Sequence, residues 1–198
     1  MIKSTILVLF TIFLLSGCLS VTKELPSYNT YNLNVNEQNV KATKYFDKSI
    51  NVLEPKTITS YNSKNILYSK DNLEYDKYAI NKWMDRPTKM LQKQISKYLT
   101  LTKDYKYIST SNLKIESDYN LITQLVDFNQ LFEQNKSFAK FTIRVYLVNN
   151  KTEKVYFKNF SYKKQCTTNN ALGFVKTIEE ITNIFYIDLN NFIISSIQ

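Results

Sequence analysis

The sequence predicts an α/β fold of the α+β type, with a mostly antiparallel sheet and two main helices packed on one of its faces. Stretches in which apolar and polar residues alternate recur along the chain, and this alternation is the pattern of half-buried strands. Two other stretches repeat apolar residues at helical spacing. The order is strands, a helix, a long run of strands and a second helix, which is typical of a sheet covered by helices on one face.

The first half of the predicted domain consists of short strands followed by a helix. Apolar and polar residues alternate over Tyr28–Val35, which predicts the first strand. Further short strands are predicted over Ser49–Leu53, Thr57–Tyr61 and Asn65–Ser69. Pro87 suits the first turn of a helix. The apolar stripe after Pro87 comprises Met90, Leu91, Gln94, Ile95, Tyr98 and Leu99.

The second half is predicted to be a run of strands closed by a long helix. The strands are Leu113–Leu121, Ile122–Phe132, Phe141–Leu147 and Val155–Tyr162. A bulge near Asn120 would explain why the apolar residues change face there. Asn149–Asn150 predicts a hairpin turn. A helix is predicted over Thr168–Ile197, with Thr168 or Asn169 as its cap.

The composition argues against most enzyme classes. The 198 residues favour one domain, and 43% of them are hydrophobic. The chain has no histidine, which excludes the Ser–His–acid triad, the Cys–His dyad and histidine-based zinc sites. Its two glycines, Gly17 and Gly173, exclude Gly-rich phosphate loops, and its two cysteines, Cys18 and Cys166, exclude a CxxC zinc site. We therefore expect no enzyme, no cofactor and no metal site.

The charge of the chain is strongly positive but is not patterned for nucleic acid. The formal net charge is +9, and the basic residues are lysines except for Arg86 and Arg144. Readers of nucleic acid usually depend on arginine for bidentate contacts, and the lysines here are scattered. We therefore expect no nucleic-acid partner, and at most a weak attraction to anionic lipid head groups.

The N-terminus has the organisation of a secretory signal peptide. Lys3 supplies a short positive region, and Ser4–Leu15 is an uncharged apolar stretch of twelve residues. Such a stretch is too short to cross a bilayer comfortably as a permanent helix, and it fits the apolar region of a signal peptide. Residues 1–17 are therefore expected to be cleaved from the mature protein.

The residues Leu15-Ser16-Gly17-Cys18 resemble the bacterial lipoprotein box. The resemblance implies transfer of diacylglycerol to the sulfur of Cys18, cleavage between Gly17 and Cys18, and acylation of the new N-terminus by a fatty acid such as palmitate. The alternative is an ordinary signal peptide with a chance cysteine. Two or three acyl chains would give stable attachment to a membrane.

The residue after the lipidated cysteine bears on the destination of the protein. An Asp at that position marks retention in the inner membrane of enteric-type bacteria, and Leu19 is not that signal. We therefore expect an outer-membrane lipoprotein, with residues 18–27 as a lipidated tether and residues 28–198 as a domain facing the periplasm. Cys166 would then be a free thiol that no histidine can activate.

Two parts of the domain resemble a known family. Asn65–Ser69 and Leu73, followed by Tyr78, Trp83, Pro87 and Leu91, are similar to the strand–loop–helix signature of the ABC-type transport auxiliary lipoproteins (PqiC/YmbA type). Phe128, Gln130 and Phe132 resemble the later Phe-x-Gln-x-Phe strand segment of that family, and Ala139, Val145, Leu147 and Phe160 follow in the next strands. The resemblance covers about residues 28–197.

This resemblance implies an auxiliary, non-catalytic role in lipid transport. Members work with an MCE-domain protein, a permease and an ATPase, which move phospholipids or other lipids between the inner and outer membranes. The lipoprotein would dock with these partners or receive phospholipid, and self-assembly into a homo-oligomer is left open. The motif residues are expected to be structural, with Trp83 packed against the second helix.

Two other functions stay open from the sequence. The first is a lipoprotein for cell-envelope assembly, or one that activates a cell-wall synthase, because such proteins also combine a small sheet with helices. The second is a lipid-anchored hydrolase that uses carboxylates among Asp71, Glu74, Asp76 and Asp85. We favour a solvated loop for these acids, since lysines surround them.

Overall fold

Eight strands in one mixed sheet and two α-helices are the main elements of the part of the chain that the structure describes. The structure is a computed structural model, and it describes residues 27–110 and 116–198. The strands are β1 (Asn29–Tyr31), β2 (Phe46–Val52), β3 (Asn65–Lys70), β4 (Glu74–Trp83), β5 (Tyr105–Thr110), β6 (Tyr119–Glu133), β7 (Lys136–Asn149) and β8 (Val155–Gln165). The helices are α1 (Pro87–Thr102) and α2 (Ala171–Ile197).

The sheet is built around the long strand β6. On one side, β6, β7 and β8 form an antiparallel meander, and on the other side β3 and β4 form an antiparallel hairpin. The parallel pairs are shorter, and they are β1 with β4, β2 with β5, and both β2 and β3 with β6. Most paired residues are antiparallel, and the predicted fold class is confirmed.

Strands β2 and β3 lie one after the other along the same edge of β6. β2 pairs with the start of β6 and β3 pairs with its end. Between them, Lys56 makes a single bridge to Gln124, next to Pro55, which has no N–H for the ladder. The predicted strand over Thr57–Tyr61 is therefore wrong. A short 3-10 helix over Thr59–Tyr61 stands in its place and buries Tyr61 against the sheet.

The predicted bulge exists at a different position. The register of β6 against β7 shifts between Leu125 and Asp127, so the extra residue is Val126 and not a residue near Asn120. This bulge lets both Leu125 and Phe128 face the helices, because the alternation of side chains restarts after it.

Two strands were not predicted, and one predicted strand is shorter. Most residues of β4 are exposed. Its sequence shows no clear alternation of apolar and polar residues, because the exposed positions hold a mixture of apolar and charged types. β5 is a short strand after the helix. The first predicted strand is confined to β1, and the chain then leaves the sheet. Of the strand predicted over Leu113–Leu121, residues 113–115 lie outside the described residues.

After β1 the chain makes contact with both helices. Residues 32–40 form this N-terminal strap, which buries Leu33 and Val35. The N–H of Val35 donates to Gln94 of α1 at 3.3 Å, and the N–H of Asn36 donates to Asn183 of α2 at 2.7 Å. The strap therefore ties the two helices to each other as well as to the core.

The helices cover one face of the sheet. Tyr98 of α1 and Tyr186 of α2 contact each other with ring centroids 5.8 Å apart, and Phe185 of α2 packs on Phe141 of β7 at 5.2 Å. α2 begins later than predicted, because its cap is Asn170, whose Oδ1 accepts from the N–H of Gly173 at 2.9 Å. Within the described ranges, neither helix has the length and apolar character needed to cross a bilayer.

Candidate functional site on the helix-free face

Two aromatic residues of the family resemblance, Trp83 and Phe128, meet in the core. Trp83 ends β4 and is almost completely buried. Its ring lies 5.4 Å from Phe128 of β6 and 6.0 Å from Phe174 of α2, between ring centroids. The predicted packing of Trp83 against the second helix is therefore confirmed. Three segments that are distant in sequence are joined at this one cluster.

The polar residues of the same motifs form a chain of hydrogen bonds. The hydroxyl of Tyr78 donates to Oε1 of Gln130 at 2.5 Å. Nε2 of Gln130 donates to Ser137 at 2.8 Å, and Ser137 donates to Oδ1 of Asn169 at 2.9 Å. Partial burial raises the pKa of Tyr78 to about 12, with smaller contributions from Cys166 and Tyr68. These hydrogen bonds therefore link β4 to β6, β7 and the segment before α2.

Cys166 lies beside this chain as a free thiol. It is buried, and its N–H donates to the carbonyl of Ser137 at 2.8 Å. Burial raises the pKa of the thiol above its ordinary value, although hydrogen bonds to Ser137, Thr177 and Gln130 oppose the increase. The free thiol expected from the sequence is present, and its environment makes it less reactive.

The remaining motif residues also have structural positions. Pro87 is the first residue of α1, and Leu91 is completely buried under that helix. Phe132 packs edge-on against Tyr68, with ring centroids 5.8 Å apart. The predicted lipidation and cleavage residues, Gly17 and Cys18, lie outside the described residues. Of the motif residues in the described ranges, Trp83, Leu91 and Phe128 are buried in the core, Tyr78 and Phe132 are partly buried, and Leu73 is 85% exposed.

The sheet face opposite the helices carries an apolar groove of about 580 Å³. Residues from four segments line it: the loop after β2, the hairpin strands β3 and β4, and the bulge of β6. These residues are Ile58, Ser60, Tyr61, Leu67, Tyr75, Asp76, Lys77, Val126 and Asp127. The bulge at Val126 places both it and Asp127 at the groove, so the irregularity of β6 helps to form the site.

The lining of the groove combines aliphatic side chains with polar groups that already have partners. Ile58, Leu67 and Val126 supply its aliphatic surface. Tyr61 points its ring into the site while its hydroxyl donates to Asn129 at 3.1 Å, and burial raises its pKa. The two carboxylates are already paired: Asp76 accepts from the hydroxyl of Tyr68 at 3.2 Å, and Asp127 lies 3.2 Å from Nζ of Lys140. Such a lining favours an apolar ligand with a polar end.

The sequence analysis did not predict this groove. Of the acids considered for hydrolysis, only Asp76 lines it. Asp71 occupies a turn with a left-handed backbone, and Asp85 accepts from the N–H of Arg86 at 2.8 Å. No group of three metal-ligating side chains comes together among residues 27–110 and 116–198. The available signal was the exposed apolar character of Ile58 and Tyr75, which the sequence alone cannot separate from ordinary core positions.

A larger depression, of about 620 Å³, lies at the start of β6 and is mostly polar. Asp118 accepts from the side chain and the N–H of Ser49 at 2.7 and 2.8 Å, and these bonds hold the pKa of its carboxyl below its usual range. Asn150 donates to the carbonyl of Ser117 at 2.7 Å. These polar groups already pair with one another, so the apolar groove is the better candidate site.

Known structures share this fold although the sequences have diverged. No family model matches the sequence, and no curated protein matches it significantly. The crystal structure of protein XCC0632 from Xanthomonas campestris, described as DUF330, has a TM-score of 0.72 at 15% identity, covering 81% of this chain and 92% of that one. The crystal structure of an uncharacterized protein has a TM-score of 0.65 at 11% identity, covering 84% and 99%. The chain therefore has the fold of the DUF330 structure.

Proposed function

We propose that this chain is a lipid-anchored auxiliary protein of an MCE/ABC-type system that moves phospholipid between the inner and outer membranes. One observation carries the proposal: the two motif segments interlock, with Tyr78 bonded to Gln130 and Trp83 packed on Phe128. These contacts join the very residues on which the family resemblance depends. The fold shared with the DUF330 structure is consistent with it.

The lipoprotein box supports the location in this proposal. Acylation of Cys18 would hold the domain at the outer membrane, facing the periplasm. The MCE-domain protein, the permease and the ATPase would complete the path from the inner membrane. In this arrangement the lipoprotein is the receiving or docking component.

The apolar groove is the part of the domain that we propose for this role. Its volume is within the range of small-ligand sites, and Ile58, Leu67 and Val126 offer a surface for an acyl chain. Lys77 lies at the same site and suits a phosphate head group. The carboxylates of Asp76 and Asp127 are occupied by Tyr68 and Lys140, which favours binding over acid–base catalysis.

The test is to purify the native lipidated protein from detergent-solubilised envelopes and identify bound proteins and lipids by mass spectrometry. We expect enrichment of an MCE-domain protein with its permease and ATPase, together with phospholipid. Recovery of an outer-membrane assembly machine or a cell-wall synthase without an MCE partner would contradict the proposal and favour the envelope-assembly alternative.

Matched variants locate the binding surface in the same experiment. Ile58→Asp places a charge in the groove at a side chain that is 61% exposed. Val155→Asp makes the same change at 55% exposure, outside the groove at the start of β8. Neither change empties a core position. We expect Ile58→Asp to reduce bound phospholipid and Val155→Asp to leave it unchanged. An equal loss in both variants would overturn the assignment to the groove.

A further inference from the structure

The edge of the sheet formed by β1 and β4 presents a cluster of exposed apolar residues with a lysine among them. Tyr28, Ile80 and Met84 are 44%, 49% and 56% exposed. Nζ of Lys82 lies 3.7 Å from the centroid of the Tyr28 ring. The N–H of Met84 donates to the carbonyl of Tyr31 at 2.7 Å. We call Tyr28, Ile80, Lys82 and Met84 the edge patch.

The edge patch lies on the same side of the sheet as the apolar groove. Side chains alternate between the faces of a strand, and Trp83 points into the core under α2. Lys82 therefore points away from the helices, and its partner strand β1 brings the Tyr28 ring to the same side, under Nζ of Lys82. The register of β4 against β3 shifts between Leu67 and Asn65, so the alternation is interrupted between Lys77 and Lys82, and Tyr75, beyond this irregularity, lines the groove. One strand, β4, thus contributes to both surfaces.

The chemistry of the edge patch matches the interface of a bilayer. A tyrosine ring combines an apolar body with a polar hydroxyl, and such side chains are favoured where one end is wet. Lysine can keep its ammonium among head groups while its methylene stem covers apolar surface. Ile80 and Met84 offer apolar area to the acyl boundary. Lys64 is also exposed. It lies close to the edge patch, because its carbonyl accepts from the N–H of Trp83 at 2.8 Å.

Tyr28 of the edge patch is also close in sequence to Cys18, which again indicates a bilayer as the partner of the patch. Only residues 19–27 separate Cys18 from Tyr28. A tether of that length spans at most ~35 Å when fully extended. A domain of this size is about 40 Å across. The start of β1, and with it the edge patch, is thus the part of the domain that an acylated Cys18 would keep nearest to the membrane.

We propose that the edge patch rests on the anionic phospholipid surface beside the lipid anchor. Tyr28, Ile80 and Met84 would insert at the acyl boundary, and Lys82 would pair with lipid phosphates. The helix-free face with its groove would then be held close to the bilayer. This inference rests on acylation of Cys18, which belongs to the proposed function.

The test compares two single-cysteine label sites in the full lipidated protein. Met84→Cys places a bimane fluorophore in the edge patch, and Phe157→Cys places it on β8 at a side chain of matched exposure, 54%. The buried Cys166 has a raised thiol pKa, and an unmodified parent sample measures any background labelling. The proteins are reconstituted in vesicles of phosphatidylethanolamine and phosphatidylglycerol that contain lipids brominated in the acyl chain, and flotation of each sample is recorded.

We expect all samples to float and the label at position 84 to be quenched several-fold more than the label at position 157. Adding Lys82→Glu should reduce the quenching at position 84 without affecting flotation. Equal quenching at both positions in floating samples would overturn the edge patch and leave the anchor intact. Failure of the parent protein to float would overturn the anchor and this inference with it. Capture of an MCE partner is measured separately and bears on the transport role alone.

Discussion

At the scale of single residues, the bond from Tyr78 to Gln130 offers the clearest test of the core. Tyr78→Phe removes a 2.5 Å hydrogen bond and leaves Oε1 of Gln130 without that donor. Loss of such a bond to a buried amide costs about 1–2 kcal/mol. Urea unfolding should show this decrease in the free energy of unfolding. Tyr68→Phe is the control, because its hydroxyl bonds to Asp76 at the surface, and its effect should be smaller. Equal losses of unfolding free energy in the two variants would contradict a structural role for the hydrogen bonds that begin at Tyr78.

The same tyrosine predicts how stability depends on pH. Its pKa is about 12 in the folded protein, above the ordinary value of 10.0, chiefly because it is partly buried. The unfolded chain therefore releases this proton at lower pH than the folded chain does. The contribution is fully present below pH 10 and is lost as the pH rises toward 12.

We expect the free energy of unfolding of the parent protein to fall across this alkaline range. Tyr78→Phe should fall less steeply, since its own titration is removed. Tyr61 and Tyr105 also have raised pKa values through burial, so the variant should keep part of the slope. Urea unfolding at a series of alkaline pH values measures this. Parallel profiles for the parent and the variant would show that Tyr78 does not contribute.

At the scale of elements, the start of α2 is set by close packing against the preceding loop. A Cβ on Gly173 would lie 2.2 Å from the carbonyl oxygen and 2.4 Å from Oγ1 of Thr168. Gly173→Ala should therefore destabilise the protein by about 1–3 kcal/mol. Helix propensity alone predicts the opposite, a gain of up to ~1 kcal/mol.

The control for this change lies on the same helix. Asn191 is exposed in α2, and Asn191→Ala should have a small stabilising effect through propensity alone. Thermal unfolding of both variants gives the comparison. A stabilised Gly173→Ala protein would mean that the loop at Thr168 relaxes without cost, and that the contact does not determine where the helix begins.

Local patterns predicted the elements whose surroundings are simple. Pro87 and the apolar stripe after it predict α1. Alternating apolar and polar residues and an Asn-rich turn predict the β7–β8 hairpin, so both elements were predicted. β4 was missed because most of its residues are exposed and so carry no clear apolar alternation. The predicted position of the bulge was wrong because it depends on the register in which β6 pairs with β7. The residues of one strand do not determine that register.

The groove could not be predicted for a related reason. It joins Ile58, Leu67, Tyr75 and Val126, which become neighbours only through the pairing of β3 with both β4 and β6. In sequence each of them resembles an ordinary strand residue. Among the motif residues, which were predicted to be structural, Trp83, Phe128 and Leu91 lie in the core and Pro87 starts α1, whereas Leu73 is exposed.

At the scale of the whole molecule, one face of the sheet is covered and the other carries the exposed surfaces. The helices and the N-terminal strap close one face. The groove and the edge patch lie on the other face, which neither α1 nor α2 covers. The domain is thus asymmetric about its sheet, and its N-terminal end lies at the edge of the open side. An anchor at that end would orient the molecule rather than only hold it.

This asymmetry predicts that salt separates anchoring from orientation. The formal net charge of the full sequence is +9, and only Lys3 of this charge would leave with the signal peptide. Raising salt from about 0.1 M to about 1 M shortens the screening length from ~10 Å to ~3 Å. Attraction between Lys82 or Lys64 and anionic lipid should weaken accordingly, whereas insertion of acyl chains should not.

In the labelled proteins, quenching at position 84 should therefore fall as salt is raised while flotation stays complete. The label at position 157 serves as the reference and should change little. Constant quenching at position 84 would show that Tyr28 and Ile80 hold the edge by apolar contacts alone. Loss of flotation with salt would instead show that charge attaches the protein, and acylation of Cys18 would then be rejected as its anchor.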